Sequence, residues 1–201
     1  YLDLADEVIV VDGGEYKDIY VYEPRLDKTL KIVNYPWPEE FDWTFIGEQF
    51  QRGYELCTGD WVIRCDLDYF FHEDDMEDIR KFLETCDAPA ALMPKKQFLI
   101  TGEYRVKSLV PIAINKGKYG DRIKLNGGGD LCQPTLDGRE LTTDELPVIT
   151  RREYVILGPG VEQNSKLKDR LPNTKIEKDR IYTTNKGIHF YNYDFCFKEA
   201  Y

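Results

Sequence analysis

Apolar and polar positions alternate in two textures along this chain. Residues 7–12 read Glu-Val-Ile-Val-Val-Asp, a β-branched run closed by Gly13-Gly14. Such a run predicts a strand buried on both faces. Asp18–Tyr22 and Leu30–Val33 predict two more short strands. After the punctuation of Pro36-Trp37-Pro38, the residues Trp43, Ile46, Phe50, Gly53 or Tyr54, and Cys57 recur at helical spacing. They predict a helix from Trp43 to Cys57, stopped by Thr58-Gly59. Asp60–Cys65 reads as the next strand. Asp74 or Asp75 would cap a second helix with Met76, Ile79, Phe82, Leu83 and Cys86 on one face. Ala88–Met93 predicts a further buried strand.

From Lys96 onward helical periodicity becomes scarce. Gln97–Ile100, Leu109–Ile114 and Arg152–Leu157 read as strands between loops containing Gly and Pro. No internal repeat or linker divides the sequence, so one domain is expected, with residues 1–95 and 96–201 as its two halves. Strand–helix alternation followed by strands predicts an α/β fold with a largely parallel sheet covered by helices. Ligands in such sheets sit at the carboxyl ends of strands, which directs attention to Asp12 and Asp66.

Charge narrows the possibilities. Lys and Arg number 27 against 37 Asp and Glu, a net charge of −10, which argues against a general nucleic-acid binder. Anionic ligands would have to be held locally, by a cation or a few placed side chains. A hydrophobic content of 42% is too high for a disordered chain, yet no apolar run approaches the roughly 20 residues of a membrane span. The five cysteines, Cys57, Cys65, Cys86, Cys132 and Cys196, are scattered without zinc spacing, which favours a reducing, cytoplasmic setting. The chain starts in mid-pattern at Tyr1 without an initiator Met and stops within an aromatic segment at Tyr201, so the protein is expected to extend beyond both ends.

The most informative local feature is Asp60-Trp61-Val62-Ile63-Arg64-Cys65-Asp66-Leu67-Asp68. An apolar strand delivers two carboxylates, one residue apart, to its end. Two hard oxygen donors there can hold Mg²⁺ or Mn²⁺, which in turn grips a diphosphate; the alternative is a solvated turn.

The stretch Gln51-Arg52-Gly53-Tyr54-Glu55-Leu56-Cys57-Thr58-Gly59-Asp60-Trp61, followed by Asp66-Leu67-Asp68, resembles the family 2 glycosyltransferases of the GT-A fold. That family carries an Arg-Asn-x-Gly helix, then Thr-Gly-acidic-aromatic, an apolar strand and Asp-x-Asp. Upstream, Ala5–Asp12 resembles the family's second strand, which ends in an aspartate that contacts the nucleotide. The resemblance covers Leu4 to Leu83. It implies a GT-A, Rossmann-like fold: a mostly parallel central sheet flanked by helices, a β-rich C-terminal half, and a first strand preceding Tyr1. The residues depart from the pattern where the family's Asp-x-x-Ser-x-Asp is replaced by Asp12–Asp18, where Gln51 stands for Asn, and where its Glu-Asp catalytic pair has no counterpart.

The resemblance implies a metal-dependent hexosyltransferase, inverting, moving a sugar from a nucleotide-diphosphate donor to a glycan, lipid-linked or protein acceptor. Asp12 would meet the base or ribose, Asp66 the ribose and metal-bound water, and Asp68 the Mn²⁺ or Mg²⁺ directly. Arg52 could approach the diphosphate or be an ordinary exposed helix arginine. A late histidine completes the metal shell in some GT-A enzymes, a role open to His189 or else one it leaves for a backbone partner.

The reaction also needs a carboxylate to take the acceptor proton. Asp130, at the end of Asn126-Gly127-Gly128-Gly129, is the first candidate, with Asp144 and Glu145 as rivals. The acidic stretch His72–Asp78 reads as a helix start or a metal site. Trp37, Tyr191 and Tyr193 suit either stacking on sugar faces or filling the core. Two other functions fit the same residues: a sugar nucleotidyltransferase, or a non-catalytic carbohydrate-binding domain derived from a transferase.

Overall fold

The computed structural model describes residues 2–14, 19–23, 28–40, 42, 44–66, 69–71, 73–98, 103–125, 133–149, 156–159, 175–176, 182–183 and 189–190. In chain order the elements are β1 (Glu7–Asp12), β2 (Ile19–Glu23), β3 (Lys28–Asn34), α1 (Thr44–Leu56), β4 (Trp61–Ile63), β5 (Phe70–Phe71), α2 (Glu73–Thr85) and β6 (Ala90–Phe98). There follow β7 (Glu103–Asn115), α3 (Lys116–Tyr119), β8 (Ile123–Lys124), β9 (Thr135–Leu136), β10 (Arg139–Glu140), β11 (Ile156–Pro159), β12 (Lys175–Ile176), β13 (Tyr182–Thr183) and β14 (His189–Phe190). The chain forms two compact units from interleaved segments: residues 1–64, 80–92 and 111–147 in the first, 65–79, 93–110 and 148–201 in the second.

The first unit contains the sheet β1-β3-β2. β1 and β3 run parallel, in register from Glu7 opposite Thr29 to Asp12 opposite Asn34. β2 returns antiparallel along β3. α1 packs on β1 through small residues; a β-carbon placed on Gly53 would stand 3.4 Å from Val11 Cγ2. The two-sided burial expected of β1 is not reached: all six residues are only half-buried, because β1 lies at the margin of a three-stranded sheet among the described residues.

Both ends of α1 are fixed by side chains. At its start, Asp42 Oδ1 accepts from the Thr44 amide and hydroxyl, each at 2.7 Å. The amide bond holds the Asp42 carboxyl below its ordinary pKa, with the hydroxyl bond adding to the effect. At its end, Lys116 Nζ donates to the carbonyls of Tyr54 (2.8 Å), Glu55 (3.1 Å) and Cys57, placing a cation where the helix leaves acceptors unsatisfied. Tyr54 is buried, and its hydroxyl donates to the Gly120 carbonyl at 2.7 Å. Gln51 Oε1 accepts from the Leu125 amide at 2.8 Å.

The same unit has its core where β4 pairs antiparallel with the end of β7, Trp61 opposite Asn115 and Ile63 opposite Ala113. Ala90, Ala91, Leu92, Ile112, Ala113, Ile114 and Ile123 are fully buried. Asn115, buried among them, caps α3 by accepting from Lys118 N at 3.0 Å and donates through Nδ2 to Ala88 O at 3.2 Å. The sheet β8-β9-β10 turns at Asp137-Gly138, both at positive φ (52° and 80°), as a two-residue hairpin requires.

In the second unit the strand order is β12-β7-β6-β11-β5, with β13-β14 as a separate pair. β11 is parallel to β6 and antiparallel to β5. α2 begins at Glu73, so Asp74 and Asp75 lie inside its first turn instead of capping it; Asp75 is buried, as are Ile79 and Leu83 further along the helix. Strand–helix alternation predicts a largely parallel sheet, but among the described residues parallel pairing joins only β1 to β3 and β6 to β11. Short connections explain part of the difference: from Glu23 to Lys28 the chain has no room for a crossover, so β3 must return beside β2 antiparallel. Of the strand expected over Gln97–Ile100, residues 99 and 100 lie outside the described residues, as do 152–155 of the one expected over Arg152–Leu157. Among the described residues no helix is long and apolar enough to cross a membrane.

Candidate functional site

The carboxyl ends of β1 and β3 form a candidate site in the first unit. β-Branched residues carry β1 as far as Asp12, and the parallel register sets Asn34 directly opposite. Past that point two loops are joined by hydrogen bonds. Tyr35 N donates to Asp12 O at 2.7 Å, and Trp37 N donates to Gly13 O at 3.1 Å. Asn34 Nδ2 donates to Gly14 O. The Asp12 side chain turns back on its own loop, Oδ1 accepting from Gly14 N at 2.7 Å.

An aromatic group covers this junction. Tyr35 and Phe45 stack at 5.5 Å between ring centroids with planes 9° apart, and Trp37 meets Phe45 at 5.1 Å and 46°. Trp37 still leaves 48% of its surface exposed, which removes the core-filling alternative. Gln49, on α1, donates through Nε2 to Tyr35 O at 2.7 Å, and its buried Oε1 has no donor among the described residues. Asn34 and Gln49 were not singled out by the sequence pattern; the signal for Asn34 was its place at the end of a second apolar strand.

Arg52 lies on α1 in the same unit and is exposed. Arg64, the last residue of the first unit's opening segment, continues the β4 pairing through its amide to Ile112 O at 2.8 Å. Its guanidinium sits 4.7 Å above the Phe50 ring, a cation held by an aromatic face of α1. Asp66, two residues on, belongs to the second unit; its side chain is exposed and its carbonyl accepts from Tyr69 N at 3.0 Å. Asp68 lies outside the described residues. For a cation, the Asp66 and Asp68 carboxylates are hard oxygen donors of the kind that suits Mg²⁺ or Mn²⁺. Among the described residues no group of three or more His, Cys, Asp or Glu is gathered closely enough to hold a metal.

The remaining candidates are spread. Asp144 is exposed in a short 3-10 turn of the first unit. Its neighbour Glu145 is engaged: the carboxylate accepts from Arg139 Nη1 at 2.9 Å and from Thr142 N at 3.4 Å. The Arg139 hydrogen bond, with those of Thr142, holds its pKa below the ordinary value, which makes Glu145 a poor proton acceptor. Asp130 lies outside the described residues, as do Tyr191 and Tyr193. His189 is placed by its backbone in β14, paired with Thr183. Burial, then the nearby Glu7 charge, pushes the Cys57 thiol up to about 11, which favours its protonated form near neutral pH. Among the described residues Cys57, Cys65 and Cys86 form no disulfide.

Comparisons with models of protein families, with curated proteins and with solved structures gave no match.

Proposed function

We propose that this chain is a metal-dependent glycosyltransferase that takes its sugar from a nucleotide-diphosphate donor. The reading rests on the resemblance of residues 4–83 to family 2 glycosyltransferases. One observation supports it above the others: Asp12 and Asn34 end two parallel strands in register, the location at which α/β sheets receive nucleotides. α1 then leads from that sheet to β4, after which the chain reaches Asp66 and Asp68.

In the proposed reaction the acceptor oxygen bonds to the anomeric carbon while the bond from that carbon to the donor diphosphate breaks. The acceptor proton passes to a carboxylate, with Asp130 and Asp144 the candidates, and the nucleoside diphosphate leaves. Asp12 orients the nucleoside end and Arg52 contributes charge to the diphosphate. Asp68 and Asp66, with His189 as a third ligand, would hold Mn²⁺ or Mg²⁺. When bound, that ion supplies positive charge to offset the charge growing on the leaving group. This suits an acidic protein, whose own cations are in the minority. That Cys57, Cys65 and Cys86 form no disulfide among the described residues fits a cytoplasmic location.

The test is calorimetric titration with a panel of nucleotide-sugars, with and without Mn²⁺, followed by assay of sugar release. Metal-dependent binding with turnover, abolished in Asp68→Ala, supports the transferase. Binding of free glycan without any nucleotide affinity would replace it with a carbohydrate-binding domain.

A further inference from the structure

We propose that Trp37 is the stacking surface for the nucleobase of the donor, held in place by the bare backbone of Gly13. The inference rests on the transferase reading above and assigns a residue to the neutral end of its nucleotide.

Trp37 is the only exposed large hydrophobic side chain among the described residues. The indole is not part of the core, with 48% of the residue exposed. Nor is the ring loosely held. Its amide donates to Gly13 O at 3.1 Å, and Phe45, itself stacked on Tyr35, supports the indole at 5.1 Å. The pyrrole edge lies so close to Gly13 that a β-carbon there would stand 1.8 Å from Nε1 and 1.9 Å from Cδ1. A ring fixed in this way loses little conformational freedom when a ligand settles on it.

The neighbouring charge selects which part of a nucleotide this surface can meet. Asp12 is adjacent to Gly13 in the chain, and a carboxylate repels phosphate oxygens while accepting hydrogen bonds from base N–H and ribose hydroxyl groups. Asp12 Oδ1 is taken by Gly14 N, and among the described residues nothing donates to Oδ2. A flat apolar ring beside a hydrogen-bond acceptor therefore matches the base and ribose, not the diphosphate. Stacking on an aromatic side chain tolerates different bases, so Trp37 contributes affinity and the acceptors around it contribute choice.

The experiment measures binding of uridine, guanosine, adenosine and cytidine diphosphates, inorganic pyrophosphate and free monosaccharides, each with Mn²⁺, to the full chain and to Trp37→Ala and Trp37→Phe. The expected result is that Trp37→Ala weakens the preferred nucleoside diphosphate by about tenfold or more. Trp37→Phe should keep most of the affinity, and pyrophosphate should bind all three proteins alike. Nucleoside diphosphate bound equally by wild type and Trp37→Ala would overturn this inference alone. Equal weakening of pyrophosphate and nucleotide would also overturn it, because the loss would then not belong to the base. Failure of the wild type to bind any nucleotide would instead overturn the transferase reading itself.

Discussion

The carboxylate of Glu7, at the start of β1, accepts three hydrogen bonds from residues just ahead of β4: the Thr58 amide, the Thr58 hydroxyl at 2.9 Å and the Gly59 amide at 3.1 Å. Two strands separated by a sheet return and a helix are thereby joined at their beginnings through one side chain. The same residues end α1, so Glu7 also satisfies amides in the loop that redirects the chain towards Asp66.

Removing that carboxylate leaves three donors to water. Glu7→Ala should lower the stability of the protein by about 1–2 kcal/mol, the range for hydrogen bonds to a charged group at a partly exposed position. Glu7→Gln keeps one acceptor oxygen and should lose less. Urea unfolding followed by circular dichroism measures both; equal midpoints for wild type and Glu7→Ala would show that the three bonds contribute nothing.

The local elements of the first half were legible because their residues state their periods openly. Val8–Val11 admits only a strand, and Ile46, Phe50 and Tyr54 recur at the spacing of α1, with Tyr54 buried and the other two half-buried. The sequence could not state which strands pair. β7 contacts β4 through residues 50 to 54 positions away, and a strand's side-chain alternation carries no information about its neighbour's direction. Glu7 and Lys116 escaped notice for a related reason, since their partners lie 51 to 62 residues distant. The Asp137-Gly138 turn carried a readable signal, but its two-residue strands, Thr135–Leu136 and Arg139–Glu140, have no apolar run to draw attention to it. At the candidate site, Asp12 was legible as a strand end. The exposure of Trp37 was not, because an indole between two prolines satisfies a core and a lip equally well until its neighbours are known.

Tyr54 gives a prediction at high pH. Burial, aided by the charge of Asp121, raises its hydroxyl from 10.0 to about 12. The folded state therefore holds this proton more tightly than the unfolded chain does. The corresponding stability is fully present below pH 10 and is lost as pH rises towards 12. Tyr54→Phe lacks the bond to Gly120 O and should be less stable by about 1 kcal/mol near neutrality. It has no proton to lose, so its deficit against wild type should shrink above pH 10. Parallel unfolding curves from pH 8 to pH 12 test this, and a deficit that stays constant would mean that Tyr54 titrates normally.

The contact between Gly13 and Trp37 can be tested for its energetic content without any ligand. The backbone at Gly13 is not in the positive-φ region, so alanine is acceptable there on conformational grounds. The obstacle is the indole, whose Nε1, Cδ1 and Cε2 would lie 1.8, 1.9 and 2.8 Å from the added carbon. Accommodating it requires Trp37 to leave Phe45, or the hydrogen bonds between the two loops to lengthen. Gly13→Ala should consequently destabilise the protein by about 1–3 kcal/mol, the usual consequence of overpacking. In a Trp37→Ala background the obstacle is gone, and the same substitution should cost about 0.5 kcal/mol or less. The double-mutant cycle then yields a coupling of at least about 0.5 kcal/mol between the two positions. Additive effects would mean that the indole does not rest on Gly13 in solution, and the fixed ring on which nucleobase stacking depends would have no support.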